Sequence, residues 1–128
     1  TYAGANGKSV NNYDRRYRGF TTLREAITDS INIVTVKTLA QAGVSLGWQY
    51  VQEYGFTTVD SRDMNEALAL GGITQGVSNL ELTAAYAAIA NQGTYIKPKF
   101  YTKILDHDGN VLIDNTTPES HTVIPHGS

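Results

Sequence analysis

Apolar positions along the chain recur at helical spacing through its middle and at strand spacing near its end. Thr22 with Glu25 three residues later is a capping-box pattern, and Leu23, Ala26 and Ile27 supply one apolar face, so a helix starts at Thr22 and stops near Asp29 or Ser30. A second helix is predicted from Asn32 to Ala42, with Ile33, Val36, Leu39, Ala40 and Gly43 on one side and Gly43 able to end it. A third runs from Leu46 to Tyr54, capped by Ser45 and stopped by Gly55. Residues 57–65 read as an irregular connection, and Glu66–Leu70 is a short apolar run broken by Gly71-Gly72. Ser78 and Glu81 form a second capping box, and the stretch from Leu80 to Ala90 is apolar on most of its circumference, the pattern of a buried helix. After Tyr95 the period changes. Pro98–Leu105 and Val111–Ile113 flank Asp106-His107-Asp108-Gly109-Asn110, which predicts a hairpin. Residues 1–18 read as a loop, and the polar residues from Asp114 onward read as loosely held. The sum is an α+β chain.

Composition narrows this picture. A chain of 128 residues, 41% apolar, can bury one modest core. Ten basic and twelve acidic residues nearly cancel, which argues against nucleic-acid binding by charge. No apolar run approaches the length of a membrane span, and cysteine is absent, which excludes disulfides and thiol chemistry. Thr1 and the final His126-Gly127-Ser128 suggest a trimmed fragment.

Candidate chemistry centres on Ser30 and Asn32. In one continuous helix these side chains would stand about 200° apart. At a break with extended backbone, residues two apart face the same way. The cap before them and the fresh apolar period after them predict such a break. A hydroxyl able to relay a proton and an amide able to hold a carbonyl or a lysine would then share a cleft. The alternative is that Ser30 only caps the next helix. Tyr13 and Tyr17, in a loop with Arg15, Arg16 and Arg18, are candidates for the rim of that cleft or for surface anchoring, and Tyr13 is the substrate-binding candidate. Tyr50 and Tyr54 are spaced for core packing. Gly71–Gly76 lacks the Lys and Ser/Thr of a phosphate loop. Asp106, Asp108 and Asn110 mimic a calcium loop for three positions only, and His107, His121 and His126 lack metal-ligand spacing.

Asn12-Tyr13-Asp14, Tyr17-Arg18-Gly19, Thr22-Leu23-Arg24-Glu25-Ala26 and Ser30-Ile31-Asn32 occur in this order, followed by Ala67–Gly72, Gly76–Leu82, Ala85-Tyr86-Ala87, Ala90–Ile96 and Asp108–Leu112. Over residues 8 to 113 the chain resembles the central part of the transpeptidase domain of class A penicillin-binding proteins. That family carries Ser-x-x-Lys, Ser-x-Asn and Lys-Thr-Gly. Here only Ser-x-Asn is present: none of Ser9, Ser30, Ser45, Ser61, Ser78 or Ser120 has lysine three places on, and Lys37-Thr38 is followed by Leu39.

The resemblance implies the helical subdomain of a penicillin-binding/serine β-lactamase-like transpeptidase fold plus a β-hairpin, with residues 1–128 a partial domain. It implies a parent enzyme that cross-links peptidoglycan stem peptides through a serine acyl-enzyme, is trapped by β-lactams, needs no cofactor or metal, carries a glycosyltransferase domain, and is membrane-anchored with this domain outside the cytoplasmic membrane. Ser30 and Asn32 would be its catalytic residues in this stretch. The fragment alone, without its nucleophile, is expected to be inactive and to self-associate through uncovered apolar surface. A non-catalytic binding or scaffold module of the same fold, or a related D,D-carboxypeptidase or β-lactamase, are the alternatives.

Overall fold

Helix α1 (Leu23–Thr28) begins where Thr22 turns extended and its side chain accepts from Glu25 N, while the Glu25 carboxylate accepts from Thr22 N at 3.0 Å. Four backbone N–H groups at a helix start have no partner within the helix, and this reciprocal pair satisfies two. Helix α2 (Asn32–Ala42) follows within four residues and ends at Gly43, as its apolar spacing predicts. Helix α3 (Val44–Glu53) starts directly after Gly43, two residues earlier than expected from Leu46, and Ser45 lies inside it. The computed structural model describes residues 2–4 and 7–127.

Two compact units divide the chain: Thr1–Val51 with Thr58–Gly76, and Gln52–Thr57 with Val77–Ser128. In the first, α1 and the 3-10 helix Glu66–Leu70 both pack on α2. Ala26, Ile31, Ile33, Val36, Val59 and Leu68 are buried there, and each of the larger five side chains stabilises the fold by about 1.5–3 kcal/mol when fully buried. A short antiparallel pair, β1 (Tyr2–Ala3) and β2 (Ser9–Val10), lies within the stretch read as loop. Asp63, only 1% exposed, closes the 3-10 turn Ser61–Asp63 by accepting from Asp60 N at 3.1 Å. It also accepts from Thr74 N at 2.7 Å and Thr74 Oγ1 at 2.6 Å, and these bonds, Thr74's first, hold its carboxyl below the usual range. The glycine-rich turn before α4 is therefore pinned, with no phosphate-binding role needed to account for it.

In the second unit, α4 (Asn79–Ala90) carries the Ser78–Glu81 capping box. Glu81 does more than cap. Its Oε2 accepts from Ser78 N and Oγ at 3.0 and 2.9 Å, and its Oε1 from Thr57 N and Oγ1 at 2.9 and 2.7 Å. These four donors, Thr57's hydroxyl first, lower the carboxyl from its ordinary 4.5 to about 2. Only the alanine face of α4 is buried, through Ala84, Ala85 and Ala88, whereas Tyr86 is 68% exposed and Leu80, Leu82 and Ile89 are exposed as well. The all-round apolar pattern predicted burial on more sides. Strand β3 (Thr94–Ile96) packs against the helix, with Tyr95 buried beside Ala84 and Ala88.

Strand β3 pairs antiparallel with β6 (Ser120–Thr122), and β4 (Lys103–Leu105) with β5 (Val111–Asp114). The second pair is the predicted hairpin. Asp106 closes its turn by accepting from Asp108 N and Asn110 N at 2.9 and 2.8 Å. The first pair was not legible, since residues after Asp114 read as loose. They are held by Val123, which is buried with Ala84, Ala88 and Tyr95, and by His121, whose Nε2 lies 2.8 Å from Glu53 O and whose ring meets that of Tyr95 at 5.2 Å. Lys99 Nζ gathers the carbonyls of Asn115, Thr116 and Thr117. Tyr54 lies past the end of α3 and packs on the same cluster.

Gly93 is where α4 turns into β3. Its φ is +85°, and a Cβ there would lie 2.1 Å from Ile124 O. Gly109 has the same conformation, φ +86°, with nothing within 4 Å. Gly109→Ala should cost about 1 kcal/mol from backbone strain alone, and Gly93→Ala roughly 2–4 kcal/mol from strain plus a backbone clash, read from urea unfolding. Glu81 yields a second expectation. A carboxyl depressed in the folded state contributes stability above its unfolded value, and this is lost as pH falls from 4.5 toward 2. The urea midpoint of Glu81→Gln should lie below wild type at pH 7 and meet it near pH 2; parallel curves across that range would contradict the bonding described.

Candidate functional site

The two helices α1 and α2 are separated by three residues, and each does something different. Asp29 is the C-cap of α1, donating its N–H to Glu25 O and Ile27 O. Ser30 has φ +53°, in the left-handed region. Ile31 is extended, at φ −82° and ψ 100°. Ser30 N donates to Ile27 O at 3.3 Å and Ile31 N to Ala26 O at 2.8 Å. This is the paired ending of a Schellman motif, and Ile31 and Ala26, which the motif brings together, are both buried. The left-handed seat in that motif is usually glycine's. A side chain there costs roughly 1–2 kcal/mol, and serine occupies it here.

The expected break is therefore present, and its form differs from a simple extended step. The exposed Ser30 lines a shallow depression of about 80 Å³ with Asn12, Tyr13, Asp14, Arg18, Asp29 and Ile31. Among the described residues its hydroxyl has no hydrogen-bond partner. Asn32 does not line that depression. Its Nδ2 donates to Asn11 O at 3.1 Å, and among the described residues no donor reaches its Oδ1. Tyr13 is 99% exposed on the rim, and Tyr17 Oη donates to Asn11 Oδ1 at 3.2 Å. A larger cavity of the same unit, about 500 Å³, is lined by Lys8, Asn11, Val36, Met64 and Leu70 among others and includes neither Ser30 nor Asn32.

Ser30 does not cap α2. The N-cap residue is Ile31, which has no side chain for the task. The acceptor comes from twenty-one residues away: Asn12 Oδ1 accepts from Ile33 N at 3.1 Å, and Asn12 Nδ2 donates to Arg16 O at 2.7 Å. Arg18 adds an ion pair on each side, to Asp29 Oδ2 at 2.6 Å and Asp14 Oδ2 at 3.2 Å. The Arg16 N–H and the Arg18 guanidinium hold the Asp14 carboxyl low. Residues 11–18 thus form a strap beside the break. Asn12 and Arg18 are the residues missed as site-builders in the sequence. The signal present was polar side chains clustered ahead of a helix whose own cap position is apolar. Among the described residues no group of three His, Asp or Glu side chains could hold a metal, and no helix is long and apolar enough to cross a membrane.

Ser30 and Asn32 thus flank a strained break between two helices of the first unit, and the hairpin belongs to the second. The penicillin binding protein transpeptidase domain family matches residues 1–126, and the chain belongs to that family. It is 43% identical over 104 residues to penicillin-binding protein 1F of Bacillus subtilis (strain 168), covering 81% of this chain and 14% of that protein. It is 41% identical over 114 residues to penicillin-binding protein 1A of Aquifex aeolicus (strain VF5), covering 89% and 15%. The crystal structure of penicillin-binding protein 1A from Haemophilus influenzae superposes with a TM-score of 0.73 at 30% identity, covering 88% of this chain and 16% of that one. The chain thus spans about one seventh of the length of these relatives. The α+β class and the family resemblance expected from the sequence both hold.

The left-handed serine yields a direct test. Ser30→Gly should match or exceed wild-type stability by up to about 1 kcal/mol, and Ser30→Val should fall about 2 kcal/mol below it in urea unfolding, because a β-branched residue resists positive φ. Equal stability of all three would mean that residue 30 is not left-handed.

Proposed function

We propose that this chain is the central portion of a serine D,D-transpeptidase, a cell-wall cross-linking enzyme and β-lactam target, and that Ser30 and Asn32 belong to its active site. The observation that carries the proposal is the strain at Ser30. A free hydroxyl kept in a seat that glycine would fill at lower cost points to chemistry at that hydroxyl. Family membership and the order of matching segments support the same assignment.

In the reaction, a serine oxygen attacks the penultimate carbonyl of a D-Ala-D-Ala stem, the last D-Ala leaves with a proton, and an amine of a second stem takes the acyl group from the serine. The nucleophile and its lysine are not in this sequence. Ser30 relays a proton between that lysine and the leaving amine. Asn32, with its Nδ2 on Asn11 O and its Oδ1 unengaged among the described residues, holds a substrate N–H. Tyr13, standing free on the rim, contacts the stem peptide. The whole polypeptide carries a glycosyltransferase domain and a membrane anchor, with this region outside the cytoplasmic membrane.

Removing the nucleophile removes the covalent route. The purified 128-residue chain should take up no fluorescent penicillin, while a longer polypeptide that supplies Ser-x-x-Lys and Lys-Thr-Gly on either side should be labelled, and Ser30→Ala within it should label at least about tenfold more slowly. A stable adduct on the short chain, or a longer form that never labels, would overturn the proposal.

A further inference from the structure

We infer that Asn12 is the positioning residue for the Ser30–Asn32 step, acting through the start of α2 and the Asn11 carbonyl; this rests on the transpeptidase assignment of that step. The N-cap position of helix α2, Ile31, offers no side-chain acceptor. Ile31 and Ile33 are buried, so water does not readily replace a missing partner for the Ile33 N–H. Asn12 supplies it, and its own side chain is spent on both ends: Oδ1 on Ile33 N, Nδ2 on Arg16 O. The residue is 8% exposed and, with Asp63, is one of two buried polar side chains among the described residues.

The consequence for the site follows from one peptide. Asn12 is fixed against α2, so the carbonyl of Asn11 before it is fixed too, and that carbonyl receives the Asn32 amide. The candidate substrate-holding amide is therefore aimed by a chain of three hydrogen bonds that begins at Asn12. Arg18 fastens the far end of the strap, yet its pairs have side chains 34–48% exposed and are open to solvent and salt. The buried Asn12 amide governs the geometry.

The test uses two polypeptides. In the 128-residue chain, amide hydrogen exchange is followed at Ile33 and at Leu39 in mid-helix. In the longer polypeptide, the rate of fluorescent penicillin labelling is measured. Asn12→Ala should raise exchange at Ile33 about tenfold or more and slow labelling about tenfold or more, with Leu39 little changed. Asn12→Asp keeps an acceptor for the Ile33 N–H and should restore most of both. Ser78→Ala, which weakens α4 through a cap of similar worth, should leave labelling at the wild-type rate. If Asn12→Ala does not fold, Asn12→Ser, too short to reach both partners, takes its place with the same outcomes. Wild-type labelling in Asn12→Ala, or in Asn12→Ser where it replaces it, from a parent that labels, overturns the positioning role and leaves the transpeptidase assignment standing. A parent that never labels overturns that assignment instead. Unchanged exchange at Ile33 overturns the positioning role by itself.

Discussion

Unpaired backbone donors at helix starts govern this chain more than any single apolar contact. Each helix leaves N–H groups that must find oxygen, and the molecule answers in two ways. Helices α1 and α4 carry the answer in their own sequence, through Thr22 with Glu25 and Ser78 with Glu81. Helix α2 does not, and borrows Asn12 from an upstream loop. The local solution makes a helix independent. The borrowed one makes the segment around Ser30 contingent on a distant loop, so the geometry of the break is a property of the tertiary structure.

The same logic extends within the second unit. Glu81 begins as a capping residue and then accepts two further bonds from Thr57, so one carboxylate sets both a helix start and the course of the loop at Thr57. Asp63 does the equivalent in the first unit, binding its own turn and Thr74. A carboxylate with several donors around it is a fixed node, and both segments it fixes lie in stretches that look flexible by composition.

How much was legible follows from the range of the interactions. The helices around Leu23, Asn32 and Leu80, the short run at Glu66 and the hairpin at Asp106–Asn110 are encoded by neighbours within four residues, and they are found where spacing and caps put them. The break at Ser30 was legible as a break, because a stop and a start adjoin. Its left-handed serine was not, since serine is uncommon in that seat. The pairing of β3 with β6 joins residues about twenty-six apart through polar Ser120 and His121, which show no strand pattern. Asn12 was visible as part of the family-like run Asn12-Tyr13-Asp14, but nothing within four residues of it reveals that its side chain ends on Ile33. Likewise the apolar circumference of α4 predicted deep burial, while the described residues bury only its alanines.

The β4–β5 hairpin has a consequence beyond its own turn. All seven of its strand residues are exposed, Ile104, Leu105, Val111, Leu112 and Ile113 among them, and a two-stranded ribbon presents backbone edges on both sides. A greasy ribbon with open edges is a template for intermolecular strand stacking. Its lysine at position 103 and aspartate at 114 face each other across the open end, Asp106 and Asp108 stand at the turn, and the strand residues between carry no charge. Gatekeeping charges placed mid-ribbon are therefore the direct route to a more soluble polypeptide.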